Sequence, residues 1–252
     1  MKLKISKVHT GPFNAYIKKM LSVDKFVYLK LENDKIYSNV YLPQRDAVKV
    51  QKINISDIFD FETDMSEISK PIKISFFNGH KLADAFKHFD KGGIMGEITV
   101  TETEDDLVAT QFTIYDDELS INLTCSDPSL GFMDLTEEQV NTIFDISSKS
   151  FTFDLDADGI ERLTSLFALE KETDTFEIVY GDNSLRFKGD TYNALFNQIE
   201  TGDKSHTLKL YKKYLPLLDK EAYKAVACSN KVVLYSEDSE TQLTIATCQT
   251  GE

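Results

Sequence analysis

SDPSLGFMDLTEEQVNTIFDISS, residues 126–148, divides the chain. It holds Asp127-Pro128 and Gly131, is acidic, and shows little of the period-two alternation that marks a strand. The sequence on either side is dense in such alternation. The stretch reads as a connector, and what lies before and after it follows one plan.

In residues 1–125 an alternating strand over Met1–Lys7 passes through Gly11-Pro12 into an amphipathic helix. Its apolar positions Phe13, Ile17, Met20 and Leu21 keep helical spacing. Strands follow near Phe26–Leu31, Ile36–Tyr41, Val48–Ile55 and Ile72–Phe77. A second helix carries Leu82, Phe86 and Phe89 on one face and stops at Gly92-Gly93, and three strands close the half near Glu97–Thr103, Leu107–Tyr115 and Leu119–Thr124.

Residues 149–252 repeat the order. A strand over Ser150–Leu155 feeds a helix with Ile160, Leu163 and Phe167 on its face, and Asp158 with Glu161 fits a capping box. Strands follow near Thr175–Tyr180, Leu185–Lys188, Tyr192–Ile199 and His206–Leu210. A short helix around Tyr211–Leu218 precedes strands near Ala222–Cys228, Val232–Ser236 and Leu243–Cys248. The fold class is α+β: two similar domains of antiparallel sheet with two helices each. Asp64–Lys70 has no counterpart in the second half and reads as a loop insertion.

The formal net charge is −14 over 252 residues, which as an average opposes binding to phosphate. The charge is segregated, however. Acids crowd at Glu102–Asp106, Asp116–Glu118 and Glu237–Glu240, whereas Lys204–Lys224 holds six lysines against two acids. Nothing approaches the apolar run of about 18 residues that a membrane helix needs. The start lacks the apolar core of a secretory signal, so the protein is expected to stay where it is made. Cys125, Cys228 and Cys248, odd in number and far apart, suggest reduced thiols in strands.

Several chemical motifs fail on inspection. Asp154-Leu-Asp156-Ala-Asp158-Gly159 opens like a calcium loop, but its twelfth position is Ser165, where a bidentate Glu is needed. Gly92-Gly93 and Gly96 lack the Lys-Ser/Thr of a phosphate loop. His80 and His88 stand two helical turns apart, about 12 Å, too far to share a metal. No serine or cysteine nucleophile motif is present. The sequence points to no enzyme, no metal and no cofactor.

The doubled plan, with Phe132-Met133-Asp134-Leu135 and Glu138-Gln139 in the connector, resembles the trimeric sliding clamps. These are the proliferating cell nuclear antigen family and the clamps of tailed phages. Asn54-Ile55-Ser56-Asp57 with Asp60-Phe61 is similar to the phage type. Tyr214-Leu215 through Lys231-Val232-Val233-Leu234-Tyr235 resembles the closing region of the cellular type. Pro216 departs from that pattern, since proline past the first turn breaks or kinks a helix.

The resemblance implies a non-enzymatic DNA polymerase processivity factor. Three subunits would form a ring of six domains, helices lining the hole; bacterial clamps reach six with two longer, three-domain chains. Its partners would be duplex DNA held without sequence preference, a DNA polymerase and an ATP-dependent clamp loader. Its place would be on DNA in the cytoplasm, the host's if the chain is a phage's. A rival from another class is an acidic two-domain interaction scaffold that never binds DNA.

Sliding needs cations that touch phosphate and not base edges. The candidate DNA-facing residues, all assigned to the four helices, are Lys18, Lys19, Lys81, Lys87, Arg162, Lys209, Lys212 and Lys213. Lys91 and Lys220, just past helix ends, are weaker. On any one helix such residues equally describe a solvated face. The resemblance also implies a partner pocket, whose candidates are Leu42, Leu130, Phe132, Met133, Leu135, Ile143, Ile245 and Thr247; such an adaptable surface suits several partners, whereas some of these would otherwise be staples over the sheet. By the same resemblance the subunit edges would use Leu119, Ile121 and Leu123 against Tyr192, Ala194 and Phe196.

Overall fold

The computed structural model describes all residues except 43, 45, 90–92, 131–133, 171, 182–183, 199–204, 238–239 and 249–252, and the backbone alone of 197–198. The chain divides into two compact units: Met1–Tyr41 with Val50–Asp134, and Leu42–Lys49 with Leu135–Glu252.

The first unit begins with β1 (Lys2–Val8) and α1 (Thr10–Leu21), followed by β2 (Val27–Glu32), β3 (Lys35–Tyr41) and β4 (Ala47–Asn54), of which Ala47–Lys49 fall in the second unit. A one-turn helix α2 (Ile55–Ile58) and a short β5 (Phe59–Phe61) come next, then β6 (Ile72–Phe76). The helix α3 (Gly79–Ala85) tightens into a 3-10 turn over Phe86–His88, and β7 (Met95–Glu102), β8 (Leu107–Tyr115) and β9 (Ser120–Thr124) complete the unit. Strand order is β3-β2-β6-β8-β7-β1-β5, with β9 on the edge of β8 that β6 leaves open. Pairing is antiparallel except for Ile72↔Leu107 and Lys73↔Val108, where β6 and β8 run parallel.

Local chemistry explains several of these elements. Asn33 turns the β2–β3 hairpin at φ 56°, a left-handed conformation that asparagine tolerates. Pro12 sits in the first turn of α1, where its missing N–H has no helical partner to lose. Phe13 meets Phe59 and Phe86 edge-on at 5.1 and 5.2 Å, which seats α1 on the sheet core. The expected insertion Asp64–Lys70 carries a 3-10 turn, Met65–Glu67, capped by the Asp64 side chain.

The second unit opens with α4 (Glu137–Ile143), then β10 (Lys149–Leu155) and α5 (Ala157–Ala168). β11 (Thr175–Gly181), β12 (Ser184–Lys188), β13 (Asn193–Gln198) and β14 (His206–Tyr211) form one antiparallel sheet in the order β13-β12-β11-β14. β15 (Tyr223–Cys228), β16 (Lys231–Ser236) and β17 (Thr241–Ala246) join β10 in the other, in the order β10-β15-β16-β17. The alternation of β11, with Phe176, Ile178 and Tyr180 buried, shows why the sheet packs one face inward.

Four expectations need correction. The stretch 126–148 contains a helix, α4, held by a capping box in which Thr136 and Gln139 satisfy each other's backbone N–H. The cap of α5 is Asp156, which accepts from Gly159 N–H at 2.7 Å, and Asp158 is already inside the helix. The second unit has no second α-helix among its described residues after α5. Lys212–Leu217 is a 3-10 turn, because Pro216 lacks the N–H and its ring obstructs the preceding turn. The first half carries α2 and β5 beyond the shared plan.

That 3-10 turn is tied down by Lys49, fully buried, whose Nζ lies 2.7 Å from Asp219 and 3.0 Å from the carbonyl of Leu217. The three cysteines are unbridged, and burial pushes the Cys125 thiol up to about 12. No helix is long and apolar enough to cross a membrane among the described residues.

Candidate nucleic-acid interface

Three helices present cations opposite a buried stripe. In α1, Phe13, Tyr16, Ile17 and Met20 are buried; Lys18 is exposed and Lys19 half-buried in the last turn, where the helix dipole favours positive charge. In α5, Ile160, Leu163 and Phe167 are buried and Arg162 is exposed, its guanidinium 5.9 Å from the centre of the Phe196 ring. In α3, Asn78 caps the helix at Lys81 N–H and the Lys81 side chain is exposed. Lys87, in the 3-10 turn after α3, lies 2.6 Å from Asp84 and holds that carboxyl below its ordinary range, a surface pair of small energetic weight.

The remaining three cations are placed differently from the expectation. Lys209 belongs to strand β14, not to a helix. Lys212 faces inward: its Nζ donates to the carbonyl of Glu170 at 2.9 Å and lies 3.3 Å from the Glu170 carboxylate, which is 2% exposed. Thr191 donates to the same carboxylate through its N–H and, at 2.9 Å, through its hydroxyl. Burial pushes the Glu170 carboxyl up, but these donors outweigh it and leave the group below its ordinary value. Lys212 is therefore a structural cation. Lys213 pairs with Asp46 at 2.5 Å and stands over the rings of Tyr211 and Tyr214.

The pocket candidates fall into two groups. Leu130, 59% exposed, belongs to the first unit, and Ser126 and Asp134 on either side of it each contact β6. Ser126 exchanges hydrogen bonds with Ser75, and Asp134 lies 2.8 Å from Lys73, two residues along the same strand face. Phe132 and Met133 lie outside the described residues. In the second unit Leu42 N–H donates to the carbonyl of Ala47, Ala246 N–H to that of Asp46, and Thr247 N–H to that of Asn230, so Leu42 and Thr247 share a neighbourhood. Leu135 and Ile143 are half-buried, and the Ile143 carbonyl accepts from Lys231 at 2.8 Å. Ile245 is buried, facing an apolar cavity of about 30 Å³ shared with Phe153, Leu163, Tyr214 and Leu234, so it belongs to the core.

The proposed edge residues also turn inward. Ile121 and Leu123 of β9 pack against the first unit's core, and Leu119 precedes the strand with its side chain partly exposed. Tyr192 contacts Phe167 and Phe196 contacts Phe187, with ring centres 5.7 and 4.5 Å apart, and Ala194 is half-buried. The large exposed apolar side chain of β13 is Leu195, at 44%. The backbone edges themselves are open among the described residues: β9 pairs only with β8, and β13 only with β12.

Sequence reasoning missed Glu170, Asp46 and the Lys73–Asp134 clasp. No spacing rule marks a partner 42 or 167 residues away.

No protein-family model matches the sequence, and no curated relative matches it. Solved structures do. The proliferating cellular nuclear antigen of Entamoeba histolytica superposes at a TM-score of 0.67 with 12% identity, covering 98% of both chains. A PCNA2–PCNA3 complex from Sulfolobus tokodaii gives 0.63 and 12%, covering 98% of this chain and 99% of that one. The beta subunit of DNA polymerase III from Pseudomonas aeruginosa gives 0.66 and 14%; all of this chain is covered, and it spans 66% of that subunit. Across its whole length, this chain has the fold of the DNA sliding clamps.

Proposed function

We propose that the chain is the ring subunit of a sliding clamp: a processivity factor that encircles duplex DNA and holds a DNA polymerase on it. The observation that carries this reading is the reciprocal coverage, 98% of each chain, with a proliferating cellular nuclear antigen. Two fold units per chain make a homotrimer of six the natural closed assembly, with residues 1–125 and 149–252 as clamp domains and 126–148 as connector. The mechanism is topological and needs no catalytic residue. A closed ring cannot leave the duplex sideways, so a few weak phosphate contacts suffice and movement along the axis stays fast.

Lys18, Lys19, Lys81, Lys87 and Arg162 supply those contacts, while the excess of acid elsewhere keeps DNA from adhering to other surfaces. A polymerase docked beside Leu42, Thr247 and the connector is held at high effective concentration near the primer end. Opening the ring requires an ATP-dependent clamp loader. The test is retention on circular against linearised plasmid after loading. Retention on circles and escape from free ends supports the clamp. Equal behaviour on both forms returns the chain to the class of acidic scaffolds.

A further inference from the structure

We infer that Lys209, Tyr211 and Lys213 form a docking ledge for the acidic flank of a partner peptide whose apolar anchor sits beside Leu42 and Thr247. The inference rests on the partner-surface part of the clamp reading and narrows the chemistry of what binds there.

Lys209 and Tyr211 share the exposed face of β14, and Lys213 follows in the 3-10 turn. The carbonyl of Lys209 accepts from Cys248 N–H at 2.8 Å, so the segment holding Thr247 runs beside this strand. Asp46 ties the ledge to the other side of the same neighbourhood. Its carbonyl accepts from Ala246, and its Oδ2 accepts from Lys213 at 2.5 Å and from the Tyr214 hydroxyl at 2.7 Å. Burial raises the Asp46 carboxyl, the two donors more than offset that, and the group stays ionised below its ordinary value.

The Lys213 ammonium stands 5.1 Å from the Tyr211 ring centre and 5.0 Å from that of Tyr214, and these rings meet edge-on at 6.0 Å. With 43% of its side chain exposed, Lys213 remains open to a second carboxylate. Lys209 faces Glu177 across the strand pair, but Glu177 is also approached by Lys188 at 3.8 Å, so two lysines share one acid. Lys188, Lys209 and Lys213 thus stand against Glu177 and Asp46 at this ledge, on a chain of net charge −14. Tyr211, 39% exposed, adds an amphipathic ring at the rim. Acids interleaved with so few lysines suit a carboxylate pair better than a run of phosphates, which needs an unbroken line of cations.

The test is selection of random dodecapeptides displayed on phage against immobilised full-length protein, with circle retention followed on the same preparations. Wild type should enrich an apolar anchor with Asp or Glu close by. Lys209→Glu should lose that enrichment. Asp46→Asn, which releases Lys213, should bind a selected acidic peptide about two- to fivefold more tightly, the range of an exposed ion pair; a merely structural Asp46–Lys213 pair would give no gain. Melting curves show that each variant is folded. Enrichment without acidic flanks, no enrichment at all, or acidic peptides indifferent to Lys209→Glu overturns the inference. So does a loss of circle retention in Lys209→Glu with peptide binding intact, which would give the ledge to DNA. Charge-dependent acidic peptides from a protein not retained on circles would leave the ledge standing and remove the clamp.

Discussion

Lys212 and Glu170, 42 positions apart, meet at 3.3 Å with the carboxylate nearly sealed from water. The pair joins the end of α5 to the 3-10 turn that stands where a second helix was expected, and Lys212 also lies 5.8 Å from the Phe167 ring. Removing one partner of a buried pair strands the other charge, a cost of about 3 kcal/mol or more. Lys212→Met should lower unfolding free energy by that order without changing DNA retention. Because the Glu170 carboxyl is held below its ordinary value, its contribution is complete above the unfolded carboxylate pKa and fades as pH falls through the lower folded one. Urea unfolding of Glu170→Gln at stepped pH should show a deficit at neutral pH that narrows in acid. A constant deficit would mean the loss comes from packing instead.

The clasp on β6 holds Ser126 and Asp134 to one strand. Lys73 lies 2.6 Å from Asp106 and 2.8 Å from Asp134, and both contacts raise the lysine's pKa against the opposing effect of burial. Lys73→Met should speed amide exchange at Ser129, Leu130 and Asp134 at least severalfold while β7 and β8 stay protected, and Lys73→Arg should restore most of the protection. Unchanged exchange in Lys73→Met would leave the Ser75–Ser126 bonds as the sufficient anchor.

In the proposed trimer, strand parity decides which side chains of β13 meet the neighbouring subunit. Phe196→Glu should lower the melting temperature of the chain itself, since Phe196 packs on Phe187. Leu195→Glu should leave unfolding nearly unchanged and shift sedimentation from trimer towards monomer. An intact trimer in Leu195→Glu would place the contact on another edge.

The phosphate contacts predicted for Lys18, Lys81 and Arg162 can be read in the salt dependence. Reversing all three to Glu should shorten residence on circular DNA and reduce the logarithmic salt slope by about one unit per engaged contact per subunit. Residence identical to wild type at every salt concentration would make these residues a solvated helix face and nothing more.

The doubled plan was legible because periods of two and 3.6 are written in the residues, as in Phe176, Ile178 and Tyr180 or in Ile160, Leu163 and Phe167. Other parts left weaker marks. α4 buries almost nothing, so it lacks periodicity; its only signal is Thr136 with Gln139, which a search for capping boxes would have found. Asp156 and Asp158 are equally good cap residues by type, and the hydrogen bond from Gly159 N–H to the Asp156 side chain decides between them. For β13, the apolar parity Tyr192, Ala194, Phe196 marks the strand's inner face, and the exposed parity carries Leu195. Counting lysines located positive charge but not the carboxylates already engaging it, which is why Lys212 read as available when Glu170 holds it, and Lys213 as unengaged when Asp46 already pairs with it.

Phe196 reaches across to α5 and lies where Gly159 leaves room for it: a Cβ at 159 would come within 2.7 Å of that ring. Two positions 37 apart are thereby bound into one steric unit, so a side chain added at 159 requires the Phe196 ring to move or to shrink. Among natural relatives of this chain, an aromatic residue at 196 should coincide with glycine at 159. A larger residue at 159 should arise only where 196 has shrunk to an aliphatic side chain, leaving in aligned sequences a paired substitution that reports the contact.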